Sequence, residues 1–89
     1  SVNIGVTLET KNDVILRESP PSRNLLFFVK KPGHEITKIR KGEKFQVKDV
    51  KEIAVPFGKD IWVKGSTEAG ETGWVYFGEK DKTVNFIKE

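Results

Sequence analysis

The sequence predicts an all-β domain, built as a small barrel or sandwich, and three observations support this prediction. First, apolar residues recur with a period of two, as in Ile4, Val6 and Leu8, which is the spacing of a strand with one buried face. Second, residues that favour turns separate these segments, for example Pro32-Gly33 and Pro56-Phe57-Gly58. Third, no stretch has the apolar spacing of an amphipathic helix.

Segments with the strand pattern run along the whole chain and are short, as expected for a small barrel or sandwich. Pro20-Pro21 interrupts them, because consecutive prolines cannot lie in a central strand. The segments cover residues 4–8, 14–17, 36–39, 45–50, 61–64, 74–77 and 84–87.

The length of 89 residues predicts a single domain over residues 1–89. A chain this short buries only about 60–65% of its unfolded surface, which leaves little room for both a scaffold and a deep catalytic cavity. The chain contains no methionine and begins with Ser1, so we expect a domain excised from a longer protein and tethered to other domains. The longest apolar run, Leu25 to Val29, is far too short to cross a bilayer.

The inventory of reactive side chains argues against an enzyme. The absence of cysteine excludes disulfides, thiolate chemistry and cysteine-bound zinc. His34 is the only histidine and follows a glycine in an expected loop, whereas nucleophilic catalysis needs a positioned base. Glu68 and Glu71 flank an exposed hairpin tip, which does not separate their pKa values as acid–base catalysis requires. We therefore expect no catalytic residues, no metal and no cofactor.

The positive charge of the chain is concentrated in its middle. The net charge is +3, and residues 30–51 hold eight basic residues against three acidic ones. Such a segment can attract a polyanion. Lysines on the outer faces of strands also prevent edge-to-edge aggregation, and we favour this second interpretation.

The order of three motifs resembles the bacterial SH3 domain family. The segment Val14–Pro20 is similar to the opening of these domains, and Ile36–Val47 is similar to their central hairpin. The residues Asp60–Lys64 followed by Gly70–Val75 are similar to their closing pair of strands. The match covers residues 4–77, although residues 22–35 form an insertion in the first long loop. The resemblance implies an all-β SH3-like barrel of five or six short antiparallel strands with an elaborated first loop.

The same resemblance implies a function. Bacterial SH3 domains accompany cell-wall hydrolases and other envelope proteins, and many bind peptidoglycan or cell-surface partners. We therefore expect a non-catalytic module that recognises a cell-wall glycan, a wall peptide or a protein partner. The expected location is the bacterial cell envelope or the extracellular space, with the cytoplasm as the alternative.

By analogy with SH3-like barrels, Trp74 and Tyr76 share the strand face that borders the binding groove, although Trp74 can instead cap the small core. Trp62 is ambiguous, because a bulge of one residue would move it to the other face. Val75 and Phe77 are expected in the core. The expected topology adds Arg17, Glu18 and Phe57 as further candidates for the groove. The segment from Trp62 to Val75 also resembles eukaryotic signalling SH3 domains, and this resemblance implies that Ile61 takes the position of the tryptophan that faces their groove.

Two other functions are considered. The apolar residues Leu25, Leu26, Phe27 and Phe28 either cover one end of the barrel or dock on a protein partner. A structural or regulatory docking domain is therefore the first alternative. Nucleic-acid binding is the second, but it is disfavoured because arginine is scarce and no nucleic-acid motif is present.

Overall fold

The computed structural model of the chain describes residues 2–23, 29–80, 82–83 and 85–88. In these residues it contains ten β-strands and no helix. The strands are β1 (Thr7–Thr10), β2 (Val14–Arg17), β3 (Ser22–Arg23), β4 (Val29–Lys30), β5 (Glu35–Ile39), β6 (Lys44–Val55), β7 (Gly58–Thr67), β8 (Thr72–Glu79), β9 (Lys82–Thr83) and β10 (Phe86–Lys88).

The main sheet has eight strands, and six of them, β1, β2, β5, β6, β7 and β8, form a strongly curled antiparallel half-barrel. The order across the sheet is β10-β1-β6-β7-β8-β2-β5, and β9 pairs with β8. The prediction of a small all-β antiparallel barrel is therefore confirmed. The elaborated first loop connects β2 to β5 and contains the short pair β3-β4.

Two facing glycines allow the sheet to curl tightly. Gly65 on β7 is paired with Gly73 on β8, and both lack the side chain that would otherwise hold neighbouring strands apart. A Cβ atom at Gly65 would overlap the carbonyl oxygen of Gln46 and the ring of Phe45. One at Gly73 would lie 2.7 Å from the carbonyl oxygen of Arg17. These close approaches bring β6 and β2 in over the core.

The inner face of the sheet holds the core, which is centred on three phenylalanines. Phe86 lies 6.2 Å from Phe45 and stacks on Phe77 at 5.8 Å, measured between ring centroids. The expectation that Val75 and Phe77 are buried is confirmed. Among the described residues, the buried members of this cluster are Val2, Leu8, Val14, Leu16, Ile39, Phe45, Val47, Ile61, Val63, Val75, Phe77 and Phe86.

The hairpin expected over residues 36–47 does not form. The turn is present, since the Glu43 amide donates to the carbonyl of Arg40, but β5 pairs with β2 while β6 pairs with β1 and β7. Thr10 at the end of β1 occupies the corner instead. Its hydroxyl donates to the Arg40 carbonyl at 2.7 Å and accepts from the Glu43 amide at 3.1 Å. The segment is thus a corner between two parts of the sheet.

The first strand starts later than its pattern predicts. Gly5 has φ +93° and turns the chain, so β1 begins only at Thr7. Ile4 is 65% exposed as a result, and its alternation with Val6 and Leu8 does not place it in the core.

The β6-β7 hairpin ends in a two-residue loop, Pro56-Phe57, between the paired residues Val55 and Gly58. The predicted turn is therefore confirmed. Phe57 has φ +69°, a left-handed conformation that glycine adopts far more easily than phenylalanine. Its side chain is fully exposed.

Candidate functional site

The side of the sheet on which Trp62 lies follows from the alternation of side chains along β7. The pairing of β7 with β8 shifts by one residue between Ile61 and Trp62. Ile61 and Val63 belong to the core cluster, so the alternation along β7 directs Trp62 to the opposite face. There it is paired with Tyr76 of β8.

Trp62 and Tyr76 form an aromatic pair on this outer face. Their ring centroids are 5.7 Å apart and the planes meet at 62°, an edge-to-face arrangement that aromatic rings favour. Trp62 is only 8% exposed, whereas Tyr76 is half-buried. The pair therefore forms a largely buried apolar surface on the outer face of the sheet.

An open cavity of about 320 Å³ lies over this pair. The volume is at the lower end of the range of small-ligand pockets, about 300–1,000 Å³. Its lining comes from the β1-β2 turn, β2, the first long loop, β7, β8 and the residue before β10. The residues are Asp13, Val14, Ile15, Arg17, Pro32, Trp62, Tyr76 and Asn85.

Hydrogen bonds hold the first long loop beside the cavity. Arg17 Nη1 donates to the carbonyl of Gly33 at 3.1 Å, and the Glu18 amide donates to the carbonyl of His34 at 2.9 Å. These bonds bring Pro32 to the cavity wall and fix one end of the Arg17 guanidinium. A guanidinium carries five N–H donors, so donors remain for a ligand.

Asp13 supplies the negative charge of the cavity. The Lys41 amide donates to Asp13 Oδ1 at 2.8 Å, and Arg40 lies 3.4 Å from Oδ2. The hydrogen bond from the Lys41 amide, and then the charge of Arg40, hold the pKa of the Asp13 carboxyl below its usual range. The cavity thus carries a carboxylate from the β1-β2 turn and a guanidinium from β2, with Ile15 between them in sequence.

The phenol of Tyr76 is a further polar group at the cavity. Its hydroxyl lies 3.5 Å from Asp60 Oδ1. Burial, and then the charges of Asp60 and Glu79, raise the pKa of Tyr76. The neutral phenol is therefore the form present near neutral pH, and it can donate a hydrogen bond.

The residues predicted for the groove lie in different places. Arg17 and Tyr76 line the cavity. Trp74 is half-buried on the same face, next to Arg17 in the β2-β8 pairing, and lies outside the cavity lining. Glu18 is exposed where β2 ends.

The other predicted residues lie away from the cavity. Ile61 is in the core, because it alternates with Trp62, and Phe57 is at the tip of the β6-β7 hairpin. The docking residues Leu25, Leu26, Phe27 and Phe28 lie outside the described residues.

Sequence reasoning missed several residues of the cavity. Asp13, Pro32 and Asn85 come from three separate turns or loops, and no local pattern links them. Trp62 carried a usable signal, since it alternates with Ile61 and Val63. Reading that alternation as continuous would have identified its outward face.

A second open cavity provides a contrast. It has about the same volume, 310 Å³, but no aromatic residue lines it. Each of its lining residues has a polar or charged side chain, and these residues are Thr7, Lys44, Gln46, Ser66, Thr67 and Glu68. Only the first of these two cavities combines an aromatic floor with charged groups.

The described ranges contain no group of three or more histidine, aspartate or glutamate residues able to hold a metal ion. They also contain no helix long and apolar enough to cross a membrane.

Comparisons with protein families, with curated proteins and with solved structures find no match. The similarity to bacterial SH3 domains therefore rests on the order of the motifs along the chain. The curled six-stranded half-barrel agrees with it at the level of architecture.

Proposed function

We propose that this chain is a non-catalytic binding module of the bacterial SH3 type that recognises a cell-wall or cell-surface component. In this proposal it works within a larger protein of the cell envelope, and peptidoglycan is the leading ligand. The observation that supports it is the aromatic pair Trp62–Tyr76 under an open cavity that also carries Arg17 and Asp13.

The chemistry of the cavity suits a glycan or a short wall peptide. Aromatic rings offer a broad apolar surface, on which the C–H face of a sugar ring packs. Arg17 provides a planar set of donors for a carboxylate, and Asp13 accepts from an amine or a hydroxyl. Ile15 and Pro32 add apolar contact at the rim.

The shape of the cavity suggests a weak interaction. It is open and shallow, so a ligand keeps much of its hydration and buries little area. Interactions of this kind gain strength when several modules are linked and bind to one polymer. This expectation agrees with a domain tethered to others along an envelope protein.

The motifs behind the family resemblance have structural roles that support the proposal. Gly73, in the closing motif, packs directly against the carbonyl of Arg17. The following residues, Trp74 and Tyr76, then lie on the outer face beside β2. The closing motif therefore contains both the glycine at which β8 closely approaches β2 and the aromatic residues of the outer face.

The test is co-sedimentation of the domain with insoluble peptidoglycan. We expect the wild-type domain to sediment with the polymer and the Tyr76→Ala variant to remain mostly in solution. Ser66→Ala alters the second cavity and is the matched control, which should sediment like the wild type. A circular dichroism spectrum confirms that each variant is folded. Failure of the folded wild-type domain to sediment would contradict the proposal.

A further inference from the structure

The register of the strands surrounds Trp74 with charges in a definite order. Arg17 on β2 lies opposite Trp74 on one side, and Lys64 on β7 lies opposite it on the other. One strand further out, Arg17 is paired with Glu35 and Lys64 with Asp49. This first row across five strands therefore reads acid, cation, tryptophan, cation, acid.

A second row crosses the same face over the cavity. Tyr76 is paired with Trp62, and Trp62 with Lys51 of β6. On the far side, Ile15 of β2 is paired with Lys38 of β5. Ile15 and Tyr76 both line the cavity. An apolar centre is thus flanked by a lysine at either end.

The cations of this face are available to a ligand. Lys38, Lys51 and Lys64 are exposed. Within the described residues, the ion pairs join Arg40 to Asp13 and Lys59 to Glu52, and so involve none of these three lysines. Their attraction for an anion is therefore not cancelled by a salt bridge in this part of the chain.

We propose that the ligand of this face is an acidic oligosaccharide, that is, a glycan strand in which carboxylate-bearing sugars are separated by neutral ones. This inference rests on the proposed function and specifies its ligand class. A sugar ring stacks on the exposed part of Trp74, and its carboxylate binds Arg17 or Lys64. These two residues are separated by two strand spacings, about 10 Å between their Cα atoms, which brackets a single sugar unit.

The same rows argue against a nucleic acid. A nucleic-acid strand carries a phosphate at every unit, but Glu35 and Asp49 close the first row at both ends. A discrete anionic group beside a stacked sugar fits the confined pair of cations better than a continuous polyanion does.

The test compares two saccharides of similar length by calorimetric titration at low salt. The probes are a hyaluronan oligosaccharide, in which every second sugar carries a carboxylate, and a neutral chito-oligosaccharide. We expect the acidic probe to bind about tenfold more tightly, which is the scale of one hydrogen bond to a charged group. Raising the salt concentration should weaken its binding and leave that of the neutral probe almost unchanged.

Matched variants locate the effect. Lys64→Ala should weaken binding of the acidic probe by about tenfold. Lys59→Ala makes the same change of charge on the same strand, at the hairpin tip, and should leave it unchanged. Equal affinity for both probes would overturn the charge inference and leave the proposed function standing. Tighter binding of a single-stranded oligonucleotide than of the acidic saccharide would also overturn the inference, and so would a failure of both saccharides to bind. In either case the co-sedimentation result decides the proposed function separately.

Discussion

The two faces of the curled sheet use aromatic residues in opposite ways. On the inner face, Phe45, Phe77 and Phe86 pack on one another within the apolar core. On the outer face, Trp74 has a cation opposite it on each side. The difference teaches that two features together distinguish an aromatic residue of the core from one that can bind a ligand. These features are the type of the residue and the face of the strand on which it lies.

The chemistry of the rings explains this division. Phenylalanine has no polar atom in its ring and can be buried completely. Tyrosine and tryptophan carry a polar group that needs a partner or water. Tyr76 meets this need at the edge of an open cavity, where its hydroxyl approaches Asp60.

Replacing one aromatic on each face gives the largest expected contrast. Phe45→Ala removes a fully buried ring and should lower the free energy of unfolding by about 3–5 kcal/mol. Trp74→Ala removes a half-buried ring and should lower the free energy of unfolding by only about 1 kcal/mol, but it should abolish binding to peptidoglycan. Urea denaturation followed by circular dichroism measures the two losses of stability, and co-sedimentation measures the loss of binding. Equal losses of stability would contradict the distinction between the faces.

The close approach at Gly65 gives the next largest effect. Gly65→Ala places a methyl group against the backbone of Gln46 and the ring of Phe45, so it should destabilise the domain by about 1–3 kcal/mol. Gly58→Ala is the control on the same strand, because a Cβ there meets no atom within 4 Å. If the Gly65→Ala variant had the same free energy of unfolding as the wild type, the sheet would not depend on this contact.

The hairpin tip should respond in the opposite direction. Phe57→Gly relieves a left-handed backbone, which costs a non-glycine residue about 1–2 kcal/mol, and part of this gain is lost to the greater freedom of the unfolded chain. We expect a net stabilisation of about 0.5–1 kcal/mol, seen as a higher Tm. A lower Tm would mean that the ring, fully exposed in this structure, packs against the protein in solution.

The smallest expected effect is a dependence on alkaline pH. Tyr76 has a raised pKa in the folded protein, so folding favours its protonated form. Its contribution to stability is complete below the unfolded pKa of about 10 and is lost as the pH rises through the folded value. Tyr76 is the only tyrosine, so tyrosinate absorbance in native and denatured protein reports it directly. Coincident titration curves would contradict the burial of its hydroxyl beside Asp60.

Much of the fold could be predicted from the sequence, because local patterns decide it. Alternation identified the strands around Val63 and Val75, and glycine marked the turns at Gly42 and Gly70, which have φ +88°. The corner at Arg40–Glu43 could not be predicted. Its turn residues are those of an ordinary hairpin, and the contacts that hold the corner come from Thr10 and Asp13, which are distant in sequence.

The candidate site was only partly predictable for the same reason. Arg17 and Tyr76 lie on strands whose faces follow from alternation, and both line the cavity. Asp13 and Asn85 reach it through tertiary contacts. The Asp13 carboxylate is held by the distant Lys41 amide, and Asn85 Nδ2 donates to the Tyr76 carbonyl at 3.4 Å. No short-range pattern carries that information.

The most direct test of the outer face as the binding surface is an NMR titration of the two tryptophan indole N–H signals with soluble peptidoglycan fragments. Trp62 and Trp74 are the only tryptophans and lie on this face. The account predicts that both indole signals shift along one saturation curve, while the amide of Ser66 in the second cavity does not move. Unchanged indole signals at saturating ligand would contradict it.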